Sequence, residues 1–339
     1  LLRLASSNKH NSQINSYFAS FFISCFYFFF ETYINRQSYF ILVDEMPFVV
    51  FIGGLLEYNS GKTTIAKDVI DFFATDLKLE TKPYKPLSGN NLFYHYDQIK
   101  ENAQKYNHFV SLDIVDLINH SSSSIPPTIA NPVHKVNTQA LSYGFFEESS
   151  LKLFFSKYSS SESLLQRFSI CNSEIDVNSI YIVNDPIYTN KKFWNDLSLT
   201  DPIIKQAKDV SLYKNEQEYY SLNGKFYAEA TNSAFECLKK DSEIIIVESF
   251  NNSAHPAWCI RESDIIILVS PGSLFIYEPE TYFRAIDNYR SINRNKPTTT
   301  DEILVFAKPQ EAHSLQINEK ERKKKIKEVS KNLFENYSK

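Results

Sequence analysis

The stretch Gly53-Gly54-Leu55-Leu56-Glu57-Tyr58-Asn59-Ser60-Gly61-Lys62-Thr63-Thr64 constrains this chain more than any other. An apolar run, PFVVFIG (47–53), enters it. A helical pattern, Thr64–Phe73, leaves it, with apolar residues at Ile65, Val69, Ile70 and Phe73. The chain has only 7 glycines in 339 residues, and Gly53, Gly54 and Gly61 fall here. Clustered glycines in so sparing a chain mark backbone that needs unusual dihedrals or close approach of a ligand. A loop between a buried strand and a helix N-terminus turns its N–H groups inward, where they can hold phosphate oxygens. On this pattern Gly54, Asn59, Ser60, Gly61, Lys62, Thr63 and Thr64 are the expected nucleotide contacts. Lys62 would reach the β- and γ-phosphates, and the Thr63 hydroxyl would serve Mg²⁺. The pattern departs from G-x-x-x-x-G-K-S/T in one respect. Leu56 stands five positions before Gly61, and the nearest earlier glycine is Gly54, so the loop is longer than the consensus. An ordinary glycine-containing turn is the competing reading.

Further strand candidates are SIYIVND (179–185), EIIIVES (243–249), DIIILVS (264–270) and EILVFAK (302–308). They are apolar throughout rather than alternating, as in strands covered on both faces of a parallel sheet. Helical patterns lie near 97–119, 150–168, 217–240 and 279–291. The alternation predicts an α/β chain: a three-layer α/β/α, doubly wound, mostly parallel sheet forming a single domain over 46–339. The Ser-, Asn- and Pro-rich stretch near 120–178 reads as an insertion or lid. The lysine-rich end, Glu319–Ser338, reads as a helix with a solvated face. No repeat of 20–50 residues is visible.

Composition narrows the classes. Hydrophobic residues at 43% and charged residues at 22% exclude wholesale disorder. A net charge of −4 argues against a dedicated nucleic-acid binder. Cys25, Cys171, Cys237 and Cys259 are far apart, with no CxxC, which argues against a disulfide scaffold and a cysteine zinc site and fits a reducing, cytoplasmic setting. Residues 1–45 differ from the rest: Tyr17–Phe30 (YFASFFISCFYFFF) carries seven phenylalanines. A membrane helix needs about 20 apolar residues, more than this run offers. A signal peptide would require an A-x-A-like cleavage site that does not follow. The preferred reading is translation upstream of a true start at Met46, the single methionine, just before the first apolar strand.

A phosphate site needs a second anchor for magnesium, normally an acidic residue ending an apolar strand. Glu248 ends Ile244–Val247 and leads into the polar loop Ser249–Pro256. It should lie roughly 4–7 Å from the Thr63 hydroxyl, so that a metal could bridge them. Asp185 is its competitor; Asp97, Asp116 and, preferred among these three, Asp113 are further metal candidates. His255 and Cys259 read as packed rather than catalytic. A third piece is Tyr84-Lys85-Pro86-Leu87-Ser88-Gly89-Asn90-Asn91. Lys85 is expected at the end of the second strand, facing the site, where it could neutralise charge on a transferred phosphoryl group. Ser88 and Gly89 would contact substrate beside it.

These three pieces together resemble the dethiobiotin synthetase-like branch of the P-loop proteins. They also resemble archaeal proteins described as predicted P-loop ATPases or GTPases, with loops of the form GLL-x-Y-D/N-SGKTT and a KP-x-SG-x-N segment. The resemblance spans roughly 47–310, though its specific motifs cover only about thirty positions. It makes Gly54–Thr64 the phosphate loop, Lys85 the substrate-side lysine and Glu248 the magnesium ligand. It implies phosphorylation of a carboxylate or carbamate. Glu248 is followed here by Ser-Phe-Asn rather than a glycine-rich run, which separates the chain from the biotin-pathway substrate.

The expected function is therefore Mg²⁺-dependent ATP (or GTP) hydrolysis or phosphoryl transfer, as in a ligase or kinase acting on a small molecule. A regulatory ATPase/GTPase switch with a protein partner and a polynucleotide kinase-like enzyme are the alternatives. Guanine switches usually carry N-K-x-D after a strand; Asn295-Lys296-Pro297-Thr298 lacks the aspartate, which favours ATP. A polynucleotide kinase would need an open basic, aromatic groove, whereas a small-molecule enzyme would present a closed pocket to Lys85. Neither a nucleic acid nor a membrane is an expected partner; homodimerisation stays open.

Overall fold

The computed structural model describes residues 46–121, 123–141, 162–172, 177–294 and 296–337. The expectations for residues 1–45, for 150–161 of the helical pattern 150–168, and for Asn295 and Ser338 lie outside them. From Pro47 onward the chain is one compact α/β unit with two mixed sheets.

In chain order the main elements are β1 (Phe48–Gly54), α1 (Lys62–Ile70), β2 (Thr81–Tyr84), β3 (Leu87–Asn91), α2 (Tyr96–Tyr106), α3 (Leu112–Ser121), β4 (Val133–Thr138), β5 (Glu162–Cys171), β6 (Val177–Asn184), α4 (Leu197–Lys205) and β7 (Asp209–Tyr213). They continue with α5 (Glu216–Lys239), β8 (Ile244–Glu248), β9 (Ile265–Ser270), β10 (Ser273–Tyr277), α6 (Pro279–Ile292), β11 (Glu311–Ser314) and α7 (Glu319–Tyr337).

The first sheet has the order β11-β10-β9-β1-β8-β2. Its heart is parallel: β1 lies between β8 and β9, and β2 pairs with β8. β10 and β11 are antiparallel additions. β1 shows why its sequence is apolar without alternation. Phe48 and Val50 meet Phe73 and the α7 side, whereas Phe51, of opposite parity, meets Tyr282 of α6. Both faces are covered, so both must be apolar.

The second sheet, β3-β4-β5-β6-β7, was not foreseen. Its outer pairs are parallel and its central pairs antiparallel. One face buries Leu165, Tyr181 and Val183 against Ile99 of α2 and Ile203 of α4. The other buries Phe168, Ile180 and Ile182 against Phe226 and Ala230 of α5. The expected single sheet is thus corrected to two, and the lid near 120–178 contributes β4, β5 and part of β6. The described part of the 150–168 pattern is strand. Leu164, Leu165 and Phe168 mimic helical spacing because β5 is buried on both sides.

Two more expectations change. EILVFAK is not a strand. Thr299 and Glu302 form a capping box that starts a helical turn, Thr300–Ile303, and Val305 is left exposed. The helical pattern at 97–119 is two helices, divided at Asn107, whose φ of 56° ends α2. The face of α7 is also not simply solvated. Arg322, Lys323 and Lys327 pair with Asp68, Asp71 and Asp76 along α1 and the π-helical turn after it, while Ile326, Val329 and Leu333 are buried. No described helix is long and apolar enough to cross a membrane.

Cys171, at the end of β5, and Cys237, near the end of α5, form a disulfide across 66 residues, contrary to the reduced cysteines expected. Cys259 is free and buried. In a chain-entropy account, closing a loop of that length stabilises by about 4 kcal/mol. Alkylation of the unreduced, denatured chain followed by peptide mapping should therefore find Cys259 modified and Cys171 and Cys237 protected. Modification of Cys171 and Cys237 without reductant would contradict the bond.

Candidate functional site

The loop after β1 is held from three directions. Leu55 N–H donates to the Val269 carbonyl at 2.9 Å, and Ser249 N–H donates to the Ile52 carbonyl at 3.0 Å. The Thr300 hydroxyl donates to the Gly54 carbonyl. Gly54 sits where the loop folds back on itself: a Cβ there would stand 2.7 Å from Lys62 Nζ and collide with Ser60 Oγ. Gly61 has φ 91° and Asn59 φ 57°, left-handed conformations that favour these residue types. Gly61 is the N-cap of α1, and no side chain caps the helix. The first N–H groups of α1 therefore lack intrahelical acceptors.

This helix end, Glu57–Thr64, Lys85, Gly89, His95, Asp113, Glu248, Phe250 and Asn251 line one cavity of roughly 510 Å³. Lys62 is largely buried, and its Nζ donates to Ser60 Oγ at 3.1 Å. Burial lowers the Lys62 pKa first; Glu248 opposes this and Lys85 adds to it. The Thr63 hydroxyl donates to Glu248 Oε1 at 3.0 Å. That is a direct hydrogen bond, shorter than the 4–7 Å span expected from sequence.

Lys85 follows β2 directly. Its ammonium reaches Glu248 Oε1 at 2.8 Å and Asp113 Oδ2 at 2.6 Å. Burial would lower its pKa, but the two carboxylates more than reverse this and raise it above the ordinary lysine value. Glu248 is fully buried, and its second oxygen, Oε2, has no hydrogen-bond partner. Asp113, in the first turn of α3, is the half-exposed member of the cluster. Burial would raise its pKa, but Lys85, Lys62 and Lys67 hold it below the usual carboxylate range.

The expected residues separate cleanly. Gly61, Lys62, Thr63, Thr64, Asn59, Ser60, Lys85, Gly89, Glu248 and Asp113 come together on the cavity, with Gly54 beneath it. Ser88 does not line it. Alternation along β3 turns Ser88 inward, where its hydroxyl donates to Asn131 Oδ1 at 2.7 Å and lies 2.7 Å from His134 Nδ1. Asp185 opens a single helical turn after β6 of the other sheet, and Asp116 pairs with Lys67. Asp97 lies in the first turn of α2, outside the cavity lining. His255 packs on Trp258 and Phe283; burial, with Arg290 and Arg261, lowers its pKa to about 4. Phe250 and Asn251 of the loop Ser249–Pro256, expected beside the phosphates, line the cavity; His95 was not singled out from sequence, since a lone histidine carries no pattern.

A divalent cation fits these donors. Glu248 Oε2 is an orphaned buried oxygen beside the Thr63 hydroxyl, and an unpaired buried carboxylate oxygen calls for a partner. Among the described residues no cluster of three or more His, Cys, Asp or Glu could hold a metal. The protein donors are thus one hydroxyl and one or two carboxylates, the small set typical of Mg²⁺ sites completed by water and phosphate. Comparison with protein-family models, curated proteins and solved structures yields no match.

Two outcomes test the cluster. Lys85→Ala strands the buried Glu248 charge and should destabilise by about 3–5 kcal/mol, with a Lys85→Met/Glu248→Gln double variant recovering part of the loss. Urea denaturation measures both. The depressed pKa of Asp113 contributes stability above the unfolded aspartate value of about 3.9, and that contribution disappears as pH falls through the folded value. Asp113→Asn should therefore flatten the acid limb of a stability–pH profile while the neutral-pH plateau changes less in slope.

Proposed function

We propose that this chain is a P-loop nucleotide-dependent phosphotransferase with a three-layer α/β/α core, acting with Mg²⁺ on a small molecule. The observation that carries this is the meeting of Thr63 and Glu248, 185 residues apart, beneath an uncapped helix N-terminus that follows a glycine-bounded loop. Parallel strands β9-β1-β8-β2 put this loop at the carboxyl edge of the sheet, where open α/β proteins bind ligands.

On this reading the N–H groups at the start of α1 and the Lys62 ammonium would hold the phosphates of ATP (or GTP). Thr63 and Glu248 would hold Mg²⁺, which neutralises phosphate charge and aligns the phosphoryl group. Lys85, charged across the physiological range, would face the acceptor and offset negative charge developing on the transferred group. Transfer forms a bond from an acceptor oxygen, such as a carboxylate oxygen, to the γ-phosphorus. The bond to the bridging oxygen breaks, and the nucleoside diphosphate leaves with its electron pair. Within the protein the catalysis is positioning and electrostatics, so no nucleophilic side chain is required. ATP supply favours a cytoplasmic setting, whereas the Cys171–Cys237 bond favours an oxidising one.

Calorimetry with Mg-ATP tests the reading. The wild-type chain should bind one equivalent. Lys62→Ala should weaken binding roughly a hundredfold, with an unchanged far-ultraviolet circular dichroism spectrum. Undiminished affinity in a folded variant would make the loop a structural turn.

A further inference from the structure

A second cavity, of roughly 660 Å³, lies on the other side of the Phe250–Asn251 wall. Both residues line both cavities. The wall is a tight turn: Ser253 N–H donates to the Phe250 carbonyl at 3.0 Å, and Asn251 has φ 48°. It is fixed from below, where Ala254 N–H donates to the Thr298 carbonyl and Thr300 N–H to the Asn252 carbonyl.

The chemistry of the two cavities differs. The second is lined by Arg290, Arg294 and Lys296 and, among the described residues, by no carboxylate. Among the described residues, no carboxylate lies within ion-pairing distance of these three cations. The nearby Asp287 is engaged by Arg261. Arg290 keeps one hydrogen bond, from Nε to the Thr298 hydroxyl at 3.2 Å, and burial together with Arg261 lowers its pKa. Cations lining a concave surface with no carboxylate partner suit an oxyanion, and guanidinium groups match one in shape. Leu87, Phe250, Pro256 and Tyr227 supply an apolar floor beside them. His255 Nε2, buried and without a partner, adds an unused polar atom on this side.

We infer that the second cavity binds the acidic tail of the phosphoryl acceptor: an amphipathic small molecule whose carboxylate or phosphate rests on Arg290, Arg294 and Lys296, and whose apolar body lies on Phe250 and Leu87. Its other end passes the Phe250–Asn251 wall toward Lys85. The assignment of the acceptor rests on the nucleotide reading; the assignment of an anion cavity does not.

The test is calorimetric titration of phenyl phosphate, and separately of phenylacetate, into the full chain saturated with Mg²⁺ and a non-hydrolysable ATP analogue. One equivalent of at least one acid should bind alongside the nucleotide. Which one binds identifies the end group as phosphate or carboxylate. Arg294→Ala/Lys296→Ala removes exposed cations and should weaken acid binding at least tenfold, leaving analogue affinity within about twofold. Failure of both acids to saturate, displacement of the analogue by the acid, or indifference to the double variant would each overturn the inference. Should the analogue itself fail to bind, the nucleotide reading falls and the acceptor role with it; titration of the chain without nucleotide then decides the anion cavity on the same criteria.

Discussion

The Lys85 ammonium, held between Glu248 and Asp113, is the interaction on which the rest of the site depends. A carboxylate as deeply buried as Glu248 is costly unless a cation and hydrogen bonds surround it. Lys85 supplies the charge and Thr63 the hydrogen bond, and both converge on one oxygen, Oε1. This leaves Oε2 directed at nothing the protein provides. The cluster draws together the end of β2, the end of β8, the start of α1 and the start of α3. The residues they contribute, Thr63, Lys85, Asp113 and Glu248, are more than twenty positions apart in sequence.

The same lysine stands at the joint between the sheets. Two residues after Lys85, at Leu87, the chain enters the second sheet. The Lys85 backbone N–H donates to the Ala130 carbonyl, and its carbonyl accepts from Asn131 Nδ2 at 2.6 Å. Asn131 also receives the Ser88 hydroxyl, so the residue that fixes the lysine backbone also fixes the first strand of the second sheet. Arg167, fully buried in β5, closes the arrangement by donating to the Asn131 and Phe109 carbonyls. Buried polar groups so fully paired specify one geometry rather than merely tolerating it.

The first sheet was legible where burial on both faces imposed unbroken apolar runs. Ile244–Val247 and Ile265–Val269 could scarcely be anything else, and the glycines of the loop announced the unusual backbone between β1 and α1. Of the second sheet only β6, the apolar run SIYIVND, was legible as a strand, and its neighbours were not for a physical reason: β3 is Leu-Ser-Gly-Asn-Asn, a strand whose residues look like a turn, and β5 hides a buried arginine and adjacent buried leucines. Its pairing is decided by tertiary contacts rather than by local preference. The exposed Val305 shows the converse, an apolar residue without a partner sheet. At the site, charge and glycine were readable, as with Lys85, Glu248 and Gly61. Ser88 was misplaced because strand parity, which turns it away from Gly89, depends on a strand the sequence does not advertise.

β2 and β8 are hydrogen-bonded neighbours, yet the chain between them makes the whole second sheet before returning through α5. That sheet is, in topological terms, a detour inserted between two adjacent staves of the first. Its two ends are anchored at the strands that carry Lys85 and Glu248. A shift of the detour as a body would pull on these strands like a pair of tongs, changing the gap between an ammonium and a carboxylate that now stand 2.8 Å apart. The architecture thus ties the placement of the second sheet to the spacing of a single ion pair.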